Sequence, residues 1–295
     1  MALPQSTATA PSPPEVVPVE SAGRATPDAT GPAKNGKPAR RRRRWPDLRR
    51  WVSVLAILGL WQIASGSGLI PTTKLAAPST VASTAWHLIQ SGQLGDAMAV
   101  SLRRVVLGLV IGCITGVVLG LLSGLYRWGD ALVDPPLQML RTLPHLGLVP
   151  LFILWFGIGE EPKVVLIALG VTFPLYLNVH SAVRAVDRRL IEAATVFRFS
   201  RWQLIRHVIF PSALPQVLVG LRQGIGIAWL TLIVSEQVNA NSGLGYMINN
   251  ARDFLQTDVI VVGLVVYAVL GLLSDWIVRI LERRALAWRQ TNVAR

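Results

Sequence analysis

The sequence predicts an all-α polytopic membrane protein with about six transmembrane helices. Hydrophobic residues make up 52% of the 295-residue chain and charged residues only 15%, a balance outside the usual range for a soluble domain. Uncharged runs close to 20 residues long recur along the chain, and about 20 residues in a helix cross a hydrocarbon core ~30 Å thick. A membrane location therefore explains the composition.

Six runs are expected to cross the bilayer. The fifth carries Arg222, and the sixth is uncharged to residue 274 and can continue to residue 280. A run that is only slightly short or interrupted once can still cross, because helices tilt and neighbouring helices cover a polar side chain. The runs are 51–70, 105–126, 142–159, 164–183, 216–238 and 259–274.

The basic residues indicate the orientation of these spans. Most of the 29 Lys and Arg residues lie in the N-terminal tail, at Arg127, in the 184–211 segment or near the C-terminus. With six spans these segments share one side, which the positive-inside rule makes the cytoplasm. We therefore expect a multi-pass protein of the bacterial cytoplasmic (inner) membrane with both termini in the cytoplasm. The net charge of +13 needs no nucleic acid partner to explain it, and membrane lipid is the expected contact.

The chain divides into three parts by composition. Residues 1–48 are rich in Pro, Ala, Ser, Thr and Gly and end near the basic run 40–44, which predicts a disordered basic cytoplasmic tail. Residues 49–285 form the membrane domain, and 286–295 a cytoplasmic C-terminal tail. The segment 31–38 approximates a phosphate-binding loop, but Pro38 replaces the Ser or Thr that contacts magnesium. No ATP site is expected on this chain.

No catalytic or metal site is expected either. The single cysteine, Cys113, falls inside the second run, so neither a disulfide nor a Cys-based metal site can form within the chain. The sequence contains no HExxH or GxSxG motif and no paired carboxylates placed for acid–base chemistry. A membrane enzyme is therefore the least favoured function class.

Glycine and proline positions predict how the spans pack and bend. Glycine recurs at every fourth position of the second run, which places it on one helix face and predicts close contact with another helix. The residues are Gly108, Gly112, Gly116, Gly120 and Gly124. In the third run Pro144, Gly147 and Pro150 predict a broken helix, and the sequence Asp134-Pro135-Pro136 predicts a helix start before it.

The polar segment 184–215 predicts two short amphipathic helices joined by a tight turn. The first is expected over 186–197, and Ser200 with Gln203 has the spacing of a capping box that begins the second. Pro211 and Pro215 are expected to end that second helix. Two interpretations follow from the pattern: a docking surface for a partner outside the membrane, or a helix pair lying on anionic lipid.

Several sequence segments resemble one transporter family. Glu192-Ala193-Ala194, Ser200, Val208 and the segment 211–215 resemble the cytoplasmic coupling loop of type I ABC importer permeases. Residues 141–144, 150–157 and 228–236 are similar to the nitrate, sulfonate and taurine branch of that family. Within the branch, 200–204, 220–223 and 236–240 are most similar to permeases for aliphatic sulfonates. The resemblance extends from residue 48 to about 289.

The resemblance implies a type I ABC importer permease fold, with 49–285 as the permease domain and 184–215 as the coupling loop. It implies two copies of a separate ABC ATPase, which bind ATP and Mg²⁺, a second permease copy, and a periplasmic or lipid-anchored substrate-binding protein. The chain would move alkanesulfonates into the cytoplasm. Taurine, nitrate or another small anion remains an alternative substrate, and a stand-alone secondary transporter an alternative class.

Coupling to the ATPase is implied for eight residues of the loop. In this family the position of Arg198 is normally glycine, which suits a turn with positive φ. A shifted turn or an extended first helix is therefore a possible consequence of the arginine. The eight residues are Glu192, Ala193, Ala194, Arg198, Ser200, Arg201, Val208 and Pro211.

A permanent anion needs donors or positive potential along its path, without a site that traps it. The candidate path residues are Arg103, Arg104, Arg141, Arg222 and Glu236. For Arg103 and Arg104 the alternative is contact with lipid headgroups, and for Glu236 it is a structural salt bridge with one of the arginines. The isolated His145 and His180 are interpreted as hydrogen-bonding residues between helices.

Overall fold

The computed structural model describes residues 48–71 and 73–288 of the chain. The predicted tail 1–48 therefore lies outside the described residues except for Leu48, as does the segment 289–295. The described residues contain helices and no strand, which confirms the all-α prediction. The elements are α1 (Leu48–Gly66), α2 (Pro78–Gln90), α3 (Gln93–Leu125), α4 (Arg127–Thr142), a 3-10 turn (His145–Leu148), α5 (Val149–Phe156), α6 (Glu161–Arg184), α7 (Arg188–Val196), α8 (Arg201–Leu204), a π-helical turn (Ile205–Ile209), α9 (Phe210–Asn239), α10 (Leu244–Asp253) and α11 (Thr257–Ala285).

The predicted count of about six spans is matched approximately. Four described helices are long and apolar enough to cross a membrane, and the bent pair formed by α4 with the segment His145–Phe156 makes a fifth. The helix found at the first predicted run, 51–70, is shorter than expected. This helix, α1, ends at Gly66, and its apolar part is Leu55–Gly66. Gly68, at φ 79°, lies in the turn that follows.

The third span is broken at Pro144, as predicted, but its first half lies before the predicted run 142–159. Its two helices meet at an angle of 87°, and α4 ends at Thr142, where the predicted run was to begin. Leu143 is extended, with ψ 134°, because the residue before a proline is disfavoured in the helical region. The predicted helix start at Asp134 was wrong: α4 begins at Arg127 and contains Pro135 and Pro136 in its interior.

The glycine face of α3 packs directly against α6, which confirms the predicted close contact. A Cβ added at Gly112 would lie 2.6 Å from the Ala168 carbonyl oxygen, and one at Gly116 would lie 2.6 Å from the Leu175 Cβ. Larger residues would force the two helices apart. On its other side α6 packs against α9, so α6 is the central helix of the bundle and has most of its side chains buried.

The helix that begins at Arg201 does not end at Pro211 or Pro215. The segment Arg201–Val238 forms one helical rod of 38 residues, so the prediction that Pro211 and Pro215 terminate a short helix was wrong. Proline removes a backbone donor and clashes with the preceding turn of a regular α-helix. The π-helical turn Ile205–Ile209 widens the helix just before Pro211, and the Phe210 amide bonds to the Ile205 carbonyl, so the chain passes the proline without ending.

Candidate functional site: a helical knob and a buried ion cluster

The segment Asp187–Ile209 forms a compact projection at one end of the bundle, which we call the knob. Its first helix, α7, begins two residues later than predicted because the Asp187 side chain caps it, accepting a hydrogen bond of 2.9 Å from the Arg189 amide. Ala194 is buried in the knob. Val186 and Ile209 join Val183 in a small apolar core, which seats the knob on the ends of α6 and α9.

The turn between α7 and α8 keeps the backbone conformation that glycine usually supplies. Arg198 has φ 54°, and the two hydrogen bonds of a Schellman motif close the turn. The Phe199 amide donates to the Ala194 carbonyl (3.0 Å) and the Arg198 amide donates to the Thr195 carbonyl (2.9 Å). The turn is therefore not shifted, and α7 is not extended. Arg198 itself adopts the positive φ, which is strained for an L-residue.

The predicted capping box at Ser200 is present. The Ser200 hydroxyl accepts from the Gln203 amide at 3.3 Å, and the Gln203 side chain accepts from the Ser200 amide at 2.8 Å. The two bonds satisfy amides that would otherwise lack partners at the start of α8. Because α8 continues into α9, this cap is also the start of the whole 38-residue rod.

The knob exposes large apolar side chains to its surroundings. Val196 is 80% exposed, Phe197 76% and Trp202 68%, which is unusual for three neighbouring residues unless a partner covers them. Beside them an apolar depression of about 360 Å³ is lined by residues of α7, the Phe199 turn, the start of α9 and Trp288.

Of the eight predicted coupling residues, Glu192, Ala193, Arg198, Ser200 and Arg201 are exposed, Val208 and Pro211 are half-buried, and Ala194 is buried.

A second polar centre lies at the opposite end of the rod and is built around Arg104. Its side chain is fully buried, and its five N–H groups all meet oxygen atoms. It forms a bidentate pair with Glu160, both bonds 2.6 Å long, a 2.6 Å bond to Glu236, and bonds to the carbonyl and hydroxyl oxygens of Ser242. The guanidinium therefore has no donor left for a bound anion in this conformation.

Glu236 is held as firmly as Arg104. Besides the arginine, its carboxylate accepts bonds from the Ser101 hydroxyl, the Gly245 amide and the Tyr267 hydroxyl, all between 2.8 and 3.0 Å. These contacts join α3, α9, α10 and α11 in one network, so a buried charge pair is fully hydrogen-bonded, as its stability requires. The alternative interpretation of Glu236 as a structural ion-pair partner agrees with this geometry.

Glu160 closes the cluster at the surface. It lies just before α6 and is 58% exposed on its side chain, while Lys163 bonds to it at 3.1 Å. Its bonds to Arg104, reinforced by Lys163, lower the pKa of the Glu160 carboxyl to about 2. The cluster of Arg104, Glu160, Lys163 and Glu236, called here the ion cluster, is neutral in sum. The sequence predicts an arginine partner for Glu236 without indicating which arginine, and it gives no signal for Glu160 or Ser242.

The other candidate path residues lie apart from the ion cluster. Arg103 and Arg141 are exposed and have no side-chain hydrogen bond or ion pair within the described part of the chain, so substrate contact stays a prediction for both. Arg222 pairs with Asp275 of α11 at 2.8 Å, and Asp275 also binds Arg279 at 2.7 Å. Sequence reasoning missed Asp275, although it lies inside the predicted continuation of the sixth run.

Both histidines join helices, as predicted. His145 Nε2 lies 3.2 Å from the Thr231 hydroxyl and ties the broken third span to α9. His180 Nε2 lies 3.0 Å from Asp130, which also accepts a bond from Arg184. The second contact fixes the end of α6 that carries the knob.

Comparison with known proteins identifies the architecture. Residues 116–286, which contain the knob and the rod, match the family described as the binding-protein-dependent transport system inner membrane component. The chain belongs to this family. As a permease subunit of this class it is a multi-pass inner-membrane protein that functions with an ABC ATPase and a substrate-binding protein.

Three relatives of this permease come from bacteria. The protein named "Putative aliphatic sulfonates transport permease protein" in Escherichia coli (strain K12) is 49% identical over 81% of this chain and 90% of its own length. The protein of the same name in Bacillus subtilis (strain 168) is 42% identical over 92% and 98%. The taurine transport system permease protein of Escherichia coli (strain K12) is 34% identical over 83% and 92%.

Two solved structures share the fold of the permease. A crystal structure of an amino acid ABC transporter with histidines has a TM-score of 0.56 at 18% identity, covering 67% of this chain and 96% of the other. An inward-facing conformation of the MetNI methionine ABC transporter has a TM-score of 0.54 at 20% identity, covering 69% and 98%. At 18% and 20% sequence identity, this structural similarity shows the fold alone.

Proposed function

We propose that this permease moves aliphatic sulfonates into the cytoplasm in an ATP-driven importer. The sulfonate assignment rests on the relatives: the two permeases named for aliphatic sulfonates are 49% and 42% identical to the chain, and the taurine permease 34%. Taurine, nitrate or another small anion is the alternative cargo within the same class. Because the class works with a substrate-binding protein, much of the choice among sulfonates belongs to that partner.

The main support for the coupling mechanism is that the second helix of the knob continues directly into a membrane span. Two knobs, one on each copy of a permease homodimer, would each dock on one of two ATPase subunits through Val196, Phe197 and Trp202. ATP and Mg²⁺ belong to the ATPase subunits, and the permease carries out no chemistry of its own.

Closure of the ATPase pair on ATP would move the knobs, and the continuous helical segment Arg201–Val238 would carry that movement through the membrane. A displacement at Ser200 then reaches Glu236, where the ion cluster joins the rod to α3, α10 and α11. With both termini in the cytoplasm, the knob faces the ATPase and the ion cluster faces the periplasmic or lipid-anchored binding protein. Alternating access follows if the rod tilts as a unit.

Purification of the tagged chain in mild detergent tests the proposal. We expect a stoichiometric ATPase subunit, identified by mass spectrometry, and ATP hydrolysis that increases when a binding protein loaded with an alkanesulfonate is added. A chain that purifies alone and still drives uptake in vesicles without ATP would instead be a secondary transporter, and the proposal would be wrong.

A further inference from the structure

A row of side-chain amides connects α6 and α9 inside the membrane. Gln216 Nε2 donates to Asn178 Oδ1 at 2.8 Å, and Asn178 Nδ2 donates to Gln223 Oε1 at 3.0 Å. Gly220 lets the helices approach here, because a Cβ at that position would lie 2.9 Å from the Asn178 Cβ. The row is therefore a built contact between two spans rather than a chance cluster.

These amides are not hidden in the bundle. Gln216 and Gln223 are exposed and Asn178 is half-buried, although all three lie within helices that cross the membrane. Gln223 Nε2 has no hydrogen-bond partner in the described part of the chain. An amide donor in contact with hydrocarbon and without a partner is strongly disfavoured, so this face of the bundle meets water or protein.

The exposed face continues along α9 in both directions. Its exposed residues recur at three- and four-residue spacing and so form one stripe. Toward the knob the stripe enters a cavity of about 430 Å³ lined by Ser181, Asp187, Ser212 and Gln216 among others. Toward the middle of the span it reaches Gly226, beside which there is open space. The stripe comprises Ser212, Gln216, Val219, Gln223, Gly226 and Leu230.

The chemistry of the row suits the passage of a sulfonate better than the chemistry of Arg104 or Arg222 does. A sulfonate has three acceptor oxygens and no donor, and side-chain amides supply neutral donors. Neutral donors hold an anion less tightly than a guanidinium does, which favours passage over trapping. The buried Arg104 has all its donors engaged, and Arg222 is paired with Asp275.

We propose that Gln216 and Gln223 line the inner half of the translocation path and donate hydrogen bonds to the sulfonate group of the passing anion. Asn178 positions them, because its two amide N–H groups are bonded to the Pro174 carbonyl (2.8 Å) and to Gln223 Oε1 (3.0 Å). This inference rests on the proposed function, since it takes the sulfonate as cargo. The polar lining of the cavity at the base of the stripe, and the Gln223 amide that has no partner in the described part of the chain, favour an aqueous path over a helix-to-helix interface with a second copy. Such an interface is the competing outcome of the test.

Thiol accessibility tests the location of the row. In a Cys113→Ala background of the assembled transporter, Gln223→Cys is treated in inside-out vesicles with a membrane-impermeant methanethiosulfonate that carries a sulfonate group. We expect labelling at least tenfold faster than for Leu264→Cys, an exposed apolar position on α11, and slower labelling when an alkanesulfonate is present. Equal rates, or a disulfide between two copies in place of labelling, would overturn the inference.

Transport measurements test the role of the donors. Gln223→Leu removes the amide at nearly constant size, and we expect the sulfonate imported per ATP hydrolysed to fall about tenfold, with Gln223→Asn recovering part of it. Leu264→Ala is the matched control. If the unchanged protein imports no sulfonate, the proposed function fails. If it imports sulfonate and Gln223→Leu does so equally well, only the amide row is excluded.

Discussion

Arg198 shows how a single residue can hold a conformation that its own stereochemistry disfavours. Its φ of 54° brings the Cβ close to the backbone, a cost of roughly 1–2 kcal/mol for an L-residue. The Schellman hydrogen bonds before it and the capping box after it fix the turn from both sides. The surrounding knob therefore stabilises a backbone geometry that glycine would adopt without strain.

Replacing this arginine by glycine tests the account of the turn. We expect Arg198→Gly to stabilise the knob by about 1 kcal/mol and to keep or strengthen the coupling of ATP hydrolysis to uptake. Thermal unfolding of the purified complex and uptake per ATP measure the two effects. For unfolding alone, Arg201→Gly is the control, because Arg201 lies in helix α8. Loss of ATP-driven uptake in Arg198→Gly would show that the guanidinium itself takes part in coupling.

Glu160 gives the ion cluster a defined pH dependence. Its folded-state pKa of about 2 lies below the ordinary glutamate value of 4.5. The ionised carboxylate therefore contributes stability that is fully present above pH 4.5 and is lost as the pH falls from 4.5 to 2. Because its side chain is 58% exposed, solvent screening limits the contribution to about 1 kcal/mol or less.

The variant Glu160→Gln makes this dependence measurable. We expect it to unfold at a lower temperature than the unchanged protein at pH 7, and the difference to shrink as the pH falls below 4.5. Glu161→Gln is the matched control, since Glu161 is the next residue and is absent from the ion cluster. A difference that stayed constant down to pH 2, or that grew, would show that the Arg104 contact does not depend on the Glu160 charge.

Among the helices, the pairing of α3 with α6 is the contact on which the bundle depends most. The glycines contribute no side chains of their own, so side chains and backbone carbonyls of α6 pack directly against the backbone of α3. Gly112→Ala would bring a Cβ to within 2.6 Å of the Ala168 carbonyl oxygen. Because that oxygen belongs to the backbone, it cannot move away by a side-chain rotation, and the two helices must separate.

We expect Gly112→Ala to destabilise the protein by about 1–3 kcal/mol, the usual cost of overpacking. Gly95→Ala is its control on the same helix, because no atom lies within 4 Å of the added Cβ, and it should be neutral or stabilising by up to about 1 kcal/mol. Detergent-solubilised protein followed by thermal unfolding gives both values. Equal stability of the two variants would contradict the account of the α3–α6 contact.

The elements also show what sequence can and cannot predict. The capping box at Ser200 and the glycine face of α3 are local or periodic signals, so they were read correctly. The prediction that Pro211 ends a helix rests on an equally local rule, but it was wrong. The π-helical turn before Pro211 accommodates the distortion that usually ends a helix at proline. Glu160 was missed for another reason: it meets Arg104 from 56 positions away, and no spacing rule reports such a contact.

At the scale of the whole molecule, the structure links two distant regions by one continuous helical segment. The segment Arg201–Val238 starts in the knob and ends beside the ion cluster, a length of roughly 57 Å at 1.5 Å per residue. In the proposed mechanism, a partner that moves the knob also moves the opposite end of the bundle through this segment. The same rod carries Gln216 and Gln223, so that movement also changes the face proposed to line the path.

The most direct test of this account is the uptake of a radiolabelled alkanesulfonate by proteoliposomes that contain the permease with its co-purified ATPase. The binding protein is supplied outside and ATP inside, on the side of the knob. The account predicts accumulation that requires internal ATP and disappears when Phe197 and Trp202 are both changed to aspartate. Accumulation driven by a proton or sodium gradient without ATP, or undiminished in the double variant, would contradict it.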